Sequence, residues 1–391
     1  MTKPLARVLM LIPSMRLAGG TERVVHNLSA LLDEAGYTVA IASFDEADEQ
    51  WHFEGGGKRF SLGSVGRMPL PLRWLEYAAQ ARKLARFKRL LQPDLTISNL
   101  WRADLISLLS GGTDRKIAIA HINVAGNPTN RLMVRMRPLV GAVYRRFAKV
   151  VAVSAPLAEE LSELYKLRPD QCVAIDNFSE MPPATPALAD DGISRAVWCG
   201  RLVPEKNLAG MIEVWSDLCG KLEKVQLVVI GDGPLRGELE AKAWDLGLRV
   251  GFSADDPVAQ IVFAGMVARP ADTMVCARVL LLSSLAEGMP MILLEALALG
   301  LPAIAADCPS GGVRSALSDS GAEATGHGAL LPIPGPGDHA AQELWLGWLE
   351  RAMTDDVALA AWRRSALARA GRFSPKVALE RWQATIAEVL A

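Results

Sequence analysis

Arg201 and Lys206 lie five residues apart, and Glu287 and Glu295 eight apart, in the second half of a 391-residue chain. Arginine presents a planar fork that fits a pyrophosphate, and lysine adds a point charge. The two acids bracket what reads as strand, turn and helix. Val279-Leu-Leu-Leu282 is a short apolar run fit for a buried strand. Gly288 allows a turn that few residues permit, and Pro290 suits a first helical position, where a missing N–H costs nothing. Gly300 is a plausible residue just past the helix end, and Pro302 prevents its return. The unpaired N–H groups of such a helix start can hold a phosphate, while carboxylates accept hydrogen bonds from neutral hydroxyls. A molecule with both parts is a sugar nucleotide. The simpler alternative is a core helix with two solvated acids.

The elements that must position these residues follow a regular alternation. Val8–Ile12 reads as a strand, Glu22–Ala35 as a helix and Thr38–Ser43 as a strand. Leu95–Ser98, Ile117–Ala120 and Lys149–Val153 are further short aliphatic runs between helical patterns, the mark of a doubly wound parallel sheet. Pro and small polar residues over 181–192 predict a linker. The alternation restarts at Ala196–Cys199, Gln226–Ile230, Ile261–Ala264, Val279–Leu282 and Pro302–Ala306, and Ser374–Ala391 has helical periodicity. Gly19-Gly20 follows the first strand and opens a helix, where backbone can approach a ligand closely. His121 ends a strand. Gly231-Asp-Gly233 lacks the third glycine of a dinucleotide loop and reads as a strand-to-helix turn.

The length suggests two domains. Half the residues are apolar and the mean hydropathy is +0.19. No run of about 18 apolar residues is free of charge, which predicts no membrane span. Met1-Thr-Lys-Pro leads into a strand-like segment rather than a signal peptide. Five cysteines without a Cys-x-x-Cys pair point to reduced thiols in a cytoplasmic protein and away from zinc. No Asp-x-Asp arrangement is placed for a divalent ion. The net charge of −1 hides an asymmetry: residues 1–180 carry 24 Lys and Arg against 18 Asp and Glu, and the remainder 18 against 25. The basic excess lies over 67–91 and 131–149. Within the first stretch, Trp74, Tyr77, Ala81, Leu84, Phe87 and Leu91 share a broad helical face ringed by Arg82, Lys83, Arg86, Lys88 and Arg89. That pattern fits an interfacial helix on an anionic membrane. A helix packed on its own domain with a solvated basic rim is the other possibility. No nucleic-acid recognition motif accompanies the basic residues.

Glu287-x7-Glu295 after a strand, with Gly288-Met-Pro290 following the first acid, resembles the motif of the retaining glycosyltransferases of family 4. The resemblance extends in order through Gly19-Gly20-Thr-Glu22, Val151-Ala-Val-Ser154, Gly200-Arg201-Leu-Val-Pro-Glu-Lys206-Asn207, Val229-Ile-Gly231-Asp-Gly233 and Phe263-Ala-Gly265. It implies an α/β protein of two Rossmann-like domains facing across a cleft (GT-B). An acceptor-binding domain would span 1–182, with the helix 374–391 packing back on it, and a nucleotide-sugar domain would span 195–373. It also implies roles. Arg201 and Lys206 stabilise the leaving diphosphate without a metal. Glu295 takes the ribose hydroxyls. Glu287 faces the donor sugar. Backbone from Gly288 through Met289, Pro290, Met291 and Ile292 caps sugar and phosphate, and backbone at Val267 meets the base. His121 hydrogen-bonds a sugar hydroxyl, and Gly19-Gly20 borders the diphosphate. Retention would follow a front-face departure in which the donor phosphate takes the acceptor's proton. No cofactor is expected beyond the nucleotide-sugar substrate. The implied partners are a nucleotide-sugar donor (UDP-sugar favoured), a lipid-linked or cell-envelope glycan acceptor and the anionic inner face of the cell membrane. Asp307-Cys-Pro-Ser-Gly311 is similar to members acting on lipid-linked glycans, although the Pro-Arg-Glu usual after that glycine is here Gly312-Val-Arg314. A GDP-mannose-dependent α-mannosyltransferase, a nucleotide-sugar epimerase of the same fold and an inactive glycan- or membrane-binding scaffold stay open as alternatives.

Overall fold

The structure is a computed structural model that describes residues 5–15, 19–45, 57–64, 72–123, 134–180, 184–185, 188, 191–318, 326–335 and 337–391. The chain forms two compact units, Met1–Phe178 with Pro375–Ala391, and Ser179–Ser374. Most of the linker segment at 181–192, and Arg131 in the second basic stretch, lie outside the described residues.

The first unit is built on strands Arg7–Ile12 (β1), Thr38–Ser43 (β2), Lys58–Ser61 (β3), Leu95–Asn99 (β4), Arg115–Ala120 (β5), Lys149–Ala152 (β6) and Cys172–Ala174 (β7). They form one parallel sheet in the order β3-β2-β1-β4-β5-β6-β7. The second unit has Ser194–Cys199 (β8), Val225–Ile230 (β9), Val250–Gly251 (β10), Ile261–Gly265 (β11), Val279–Leu282 (β12), Ala303–Ala306 (β13) and Gly328–Leu331 (β14). Its parallel order is β10-β11-β9-β8-β12-β13-β14. Each sheet thus reverses its winding once, at β1/β4 and at β8/β12. Ligands of open α/β sheets collect beyond the strand C-termini at such reversals. The short apolar runs become these strands because helices cover both faces of a parallel sheet, leaving little room for polar alternation. All four residues of β12 and all six of β9 are buried.

In the second unit the core centres on Trp198, Trp215 and Trp345. Each buried indole N–H has an acceptor, respectively Ser283 Oγ at 3.2 Å, the Gln260 carbonyl at 2.8 Å and the Pro332 carbonyl at 2.8 Å. Pairing of that kind offsets the cost of burying a polar ring atom. The last helix, Pro375–Leu390, buries Trp382 and Ile386 in the first unit. The Lys149 ammonium on β6, also buried, donates to its Glu388 carboxylate.

The helix Arg73–Leu91 corrects one expectation. From Tyr77 to Leu91 its apolar stripe packs on the first unit and is not available to a membrane, and of the six residues only Trp74 is exposed. Ala81 and Leu84 are buried in the core of the first unit, and Tyr77, Phe87 and Leu91 pack against the same cluster. Lys88 falls on this inward stripe and is buried, with its ammonium 2.8 Å from the buried Asp114 carboxylate. Lys83 reaches back to the Leu62 carbonyl at 3.1 Å. Helical periodicity identifies residues that share a face but not which face turns inward. The outward face carries Arg82, Arg86 and Arg89 between two exposed apolar residues, Trp74 (63 % exposed) and Leu90 (86 % exposed). Among the described residues no helix is long and apolar enough to cross a membrane.

Candidate active site

At the β8/β12 reversal the second unit assembles a polar group from three loops. The turn after β8 ends in the 3-10 helix Pro204–Lys206. Ser283, just past β12, takes the Trp198 indole N–H and donates to the Lys206 carbonyl at 2.9 Å, so the two strand ends are tied together. Leu285 N–H adds a bond to the Glu205 carbonyl at 2.8 Å. With the backbones fixed, the Lys206 ammonium forms a short ion pair with the Glu287 carboxylate. Ser284 Oγ donates to the same carboxylate oxygen at 2.7 Å. The loop after β13 supplies a third contact. Ser310 Oγ accepts the Glu287 N–H at 3.0 Å and donates back to the Glu287 carbonyl. Glu287 is therefore held at both its side chain and its backbone.

The helix that follows runs Met291–Ala298. Pro290 is its N-cap rather than its first turn, with ψ of 124° keeping it extended. No side chain caps this end. The first N–H groups of a helix have no partner within it, so the chain segment through Met289, Pro290, Met291 and Ile292 leads into an anion-accepting start. Gly288 is not among the glycines of positive φ in this segment, whereas Gly300 and Gly311 are, each at 69°. The tight spot at Gly288 is its carbonyl, which the backbone of Gly312 approaches so closely that a Cβ there would overlap it. Gly300 closes the helix. Its N–H reaches Leu297 O, and the Leu301 N–H reaches Ala296 O, the bond pair of a Schellman cap. Glu295 sits in the second turn and is buried, at 7 % exposure, close to the 9 % of Glu287.

Arg201 is exposed in the turn after β8, and its guanidinium has no partner among the described residues. Val267 is half-buried in the loop after β11. Neither touches the Lys206–Glu287 pair through a hydrogen bond. Among the described residues no group of three His, Cys, Asp or Glu could hold a metal ion, and the five cysteines are free thiols.

The first unit carries the remaining candidates at its own reversal. Gly19 is the N-cap of the helix Gly20–Glu34, which follows β1. His121 directly follows β5 and lies 3.0 Å, Nε2 to Oδ1, from Asn99 at the end of β4. Burial brings the His121 pKa down to about 4, so its ring is neutral near pH 7. Two residues on, Asn123 anchors the same loop, donating to the Glu160 carboxylate at 2.6 Å and accepting the Tyr165 hydroxyl at 2.9 Å.

Sequence reasoning missed Ser284, Ser310 and Asn99. A serine three residues before Glu287 was a readable hint. The other two become visible only when loops distant in sequence meet.

Residues 18–179 match the family model described as Glycosyltransferase Family 4, and residues 194–343 the one described as Glycosyl transferases group 1. The chain is 23 % identical over 390 residues to the amylovoran biosynthesis glycosyltransferase AmsD of Erwinia amylovora, covering 96 % of this chain and 98 % of that protein. Among solved structures, sucrose-phosphate synthase from Thermosynechococcus elongatus superposes with a TM-score of 0.79 at 16 % identity, covering 98 % and 99 % of the two chains. Anabaena HepE in complex with UDP-glucose superposes with a TM-score of 0.71 at 18 % identity, covering 98 % and 100 %. With two parallel Rossmann-like units and family matches spread along both, the chain belongs to glycosyltransferase family 4 and has the GT-B fold.

Proposed function

We propose that this glycosyltransferase is a retaining hexosyl- or N-acetylhexosaminyltransferase. It takes its sugar from a UDP-sugar and passes it to a lipid-linked or cell-envelope glycan at the cytoplasmic face of the membrane. The observation that carries the reading is the grouping of Lys206, Ser284 and Glu287 beside the uncapped start of the helix Met291–Ala298. A cation and open N–H groups suit a diphosphate, and acids suit hydroxyls. In this reading Lys206, Arg201 and the helix start take the diphosphate charge without a metal. Glu295 accepts from the ribose, Glu287 faces the transferred sugar, and backbone at Val267 meets the base. His121 hydrogen-bonds a sugar hydroxyl, and Gly19-Gly20 borders the diphosphate. Neither acid has to be a nucleophile, because the nucleoside diphosphate is already a good leaving group. Support for a UDP-sugar comes from the UDP-glucose complex of HepE, and for an envelope glycan from the amylovoran role of AmsD. Calorimetry with a panel of UDP-sugars and GDP-mannose, repeated in EDTA, tests it. Micromolar binding of a UDP-sugar that persists in EDTA is expected. Selective binding of GDP-mannose would replace the donor assignment, and binding of no nucleotide would overturn the reading.

Membrane association is assigned to the outward face of the helix Arg73–Leu91, where three arginines lie between Trp74 and Leu90. A basic residue near an anionic bilayer contributes roughly 1 kcal/mol, so changing Arg82, Arg86 and Arg89 together to alanine is expected to weaken vesicle binding by about 10²-fold. Co-sedimentation with vesicles containing phosphatidylglycerol measures this. Equal binding of the wild type and the triple variant would remove this face from the reading.

A further inference from the structure

Adjacent strands β1, β4 and β5 end at one point of the first sheet, and their ends are joined by a single side chain. Asn99 is fully buried. Its Nδ2 lies 3.3 Å from the Leu11 carbonyl on β1, and its Oδ1 3.0 Å from His121 Nε2 beyond β5. A backbone carbonyl can only accept, so the amide nitrogen must face Leu11. The amide oxygen is then turned to the imidazole, and the ring nitrogen facing it must carry the hydrogen. In a neutral ring the other nitrogen, Nδ1, is left as an acceptor. It has no hydrogen-bond partner among the described residues.

The turn that presents Asn99 is itself held in an uncommon shape. Leu100 has φ 71° and ψ 146°, a region that a branched side chain rarely adopts. Such backbone persists where its surroundings over-determine it. Here Ser98 Oγ donates to the carboxyl group of the buried Asp104 at 2.6 Å, and the Asp104 N–H returns to the Leu100 carbonyl at 3.0 Å. Two residues beyond His121, Asn123 fixes the loop that carries it.

We infer that Asn99 is a positioning residue that locks His121 as the Nε2–H tautomer, so that Nδ1 accepts a hydrogen bond from a hydroxyl of the transferred sugar. The inference rests on the reading of His121 as a sugar-facing residue. It adds a specificity: a sugar bearing a hydroxyl at that position is accepted, and one bearing a carboxylate there, which offers no hydrogen, is refused.

The tautomer can be read in the wild-type chain, with one variant needed only to assign the signal. Long-range proton–nitrogen correlation spectra of the full chain labelled at its five histidines, with His121→Gln for assignment, are expected to show Nε2 protonated and Nδ1 bare. An Nδ1–H tautomer in the wild type overturns the inference. Asn99→Ala is expected to release the ring into a mixture of tautomers. It should lower kcat for sugar transfer roughly 10- to 100-fold, the scale of a misplaced group, with little change in donor KM. Asn99→Asp keeps an acceptor against Nε2 and is expected to retain the Nε2–H signal and the larger share of the rate. An unchanged rate in Asn99→Ala, with donor binding shown by calorimetry, sinks the inference while leaving the donor reading in place. Absence of donor binding in the wild type is instead the failure of the donor reading.

Discussion

Replacing Lys206 by alanine is expected to lower kcat/KM for sugar transfer by about 10²–10³-fold, the scale for losing one preorganised charge at a developing oxyanion. The backbone at 206 does not depend on the side chain. Its carbonyl is held by Ser283, and the turn is joined to the next loop through Glu205 and Leu285. The fold should therefore survive, and circular dichroism and thermal unfolding check that it does. The substitution also removes the cation beside Glu287, which is buried and keeps the Ser284 hydroxyl as a donor. A charge left half-paired repels an incoming diphosphate, so nucleotide affinity measured by calorimetry should fall along with the rate. Lys206→Arg keeps the charge but offers a different geometry, and should recover part of both. The double variant Lys206→Ala with Glu287→Gln removes the stranded charge as well. If nucleotide affinity returns there while transfer stays slow, Lys206 acts on the leaving group and not only on Glu287. Unchanged affinity and rate in Lys206→Ala would remove this lysine from the donor site.

The sheets were legible because their central strands are uninterrupted apolar runs. Thr38–Ser43 and Val279–Leu282 were read from the sequence with the ends they have in the structure. Boundaries slipped where a residue's type is suited to two neighbouring positions. Pro290 fits a first helical turn and an N-cap alike, and only its extended ψ distinguishes them. Direction was hidden as well. The stripe from Tyr77 to Leu91 was visible, yet nothing in its periodicity says that the first unit's own core claims it, or that Lys88 in the same stripe is neutralised by Asp114. At the candidate site, residue types pointed to Lys206 and Glu287 separately. Their pairing spans 81 residues of sequence and follows from the adjacency of β8 and β12. Ser310 bonds to the backbone N–H and carbonyl of Glu287, and Asn99 joins the Leu11 carbonyl to the His121 ring, contacts between segments distant in sequence that residue type does not signal.

That dependence on backbone placement makes Gly312→Ala a severe substitution. Gly312 begins the short helix Gly312–Leu317, after Gly311 at φ 69°. An ideal Cβ on it would lie 1.4 Å from the Gly288 carbonyl oxygen and 2.3 Å from its carbon. These are backbone atoms, so no rotamer change relieves the overlap, and one of the two turns must move by well over an ångström. Ser310, two residues away, is bonded to both the N–H and the carbonyl of Glu287. A shift of either turn breaks that double contact and moves Glu287 away from Lys206. Misplacement by about 1 Å can cost 10²-fold in rate, so kcat/KM is expected to fall at least that far. The global cost should resemble overpacking elsewhere, about 1–3 kcal/mol, which lowers Tm by a few degrees without unfolding the chain. Gly347→Ala is the matched control. It lies inside the helix His339–Thr354, and a Cβ there meets nothing within 4 Å. It should keep full activity and gain about 0.4–1 kcal/mol of stability from a less flexible unfolded chain. Wild-type rates in Gly312→Ala would mean that the contact between the 287–288 and 310–312 turns does not set the geometry of the donor site.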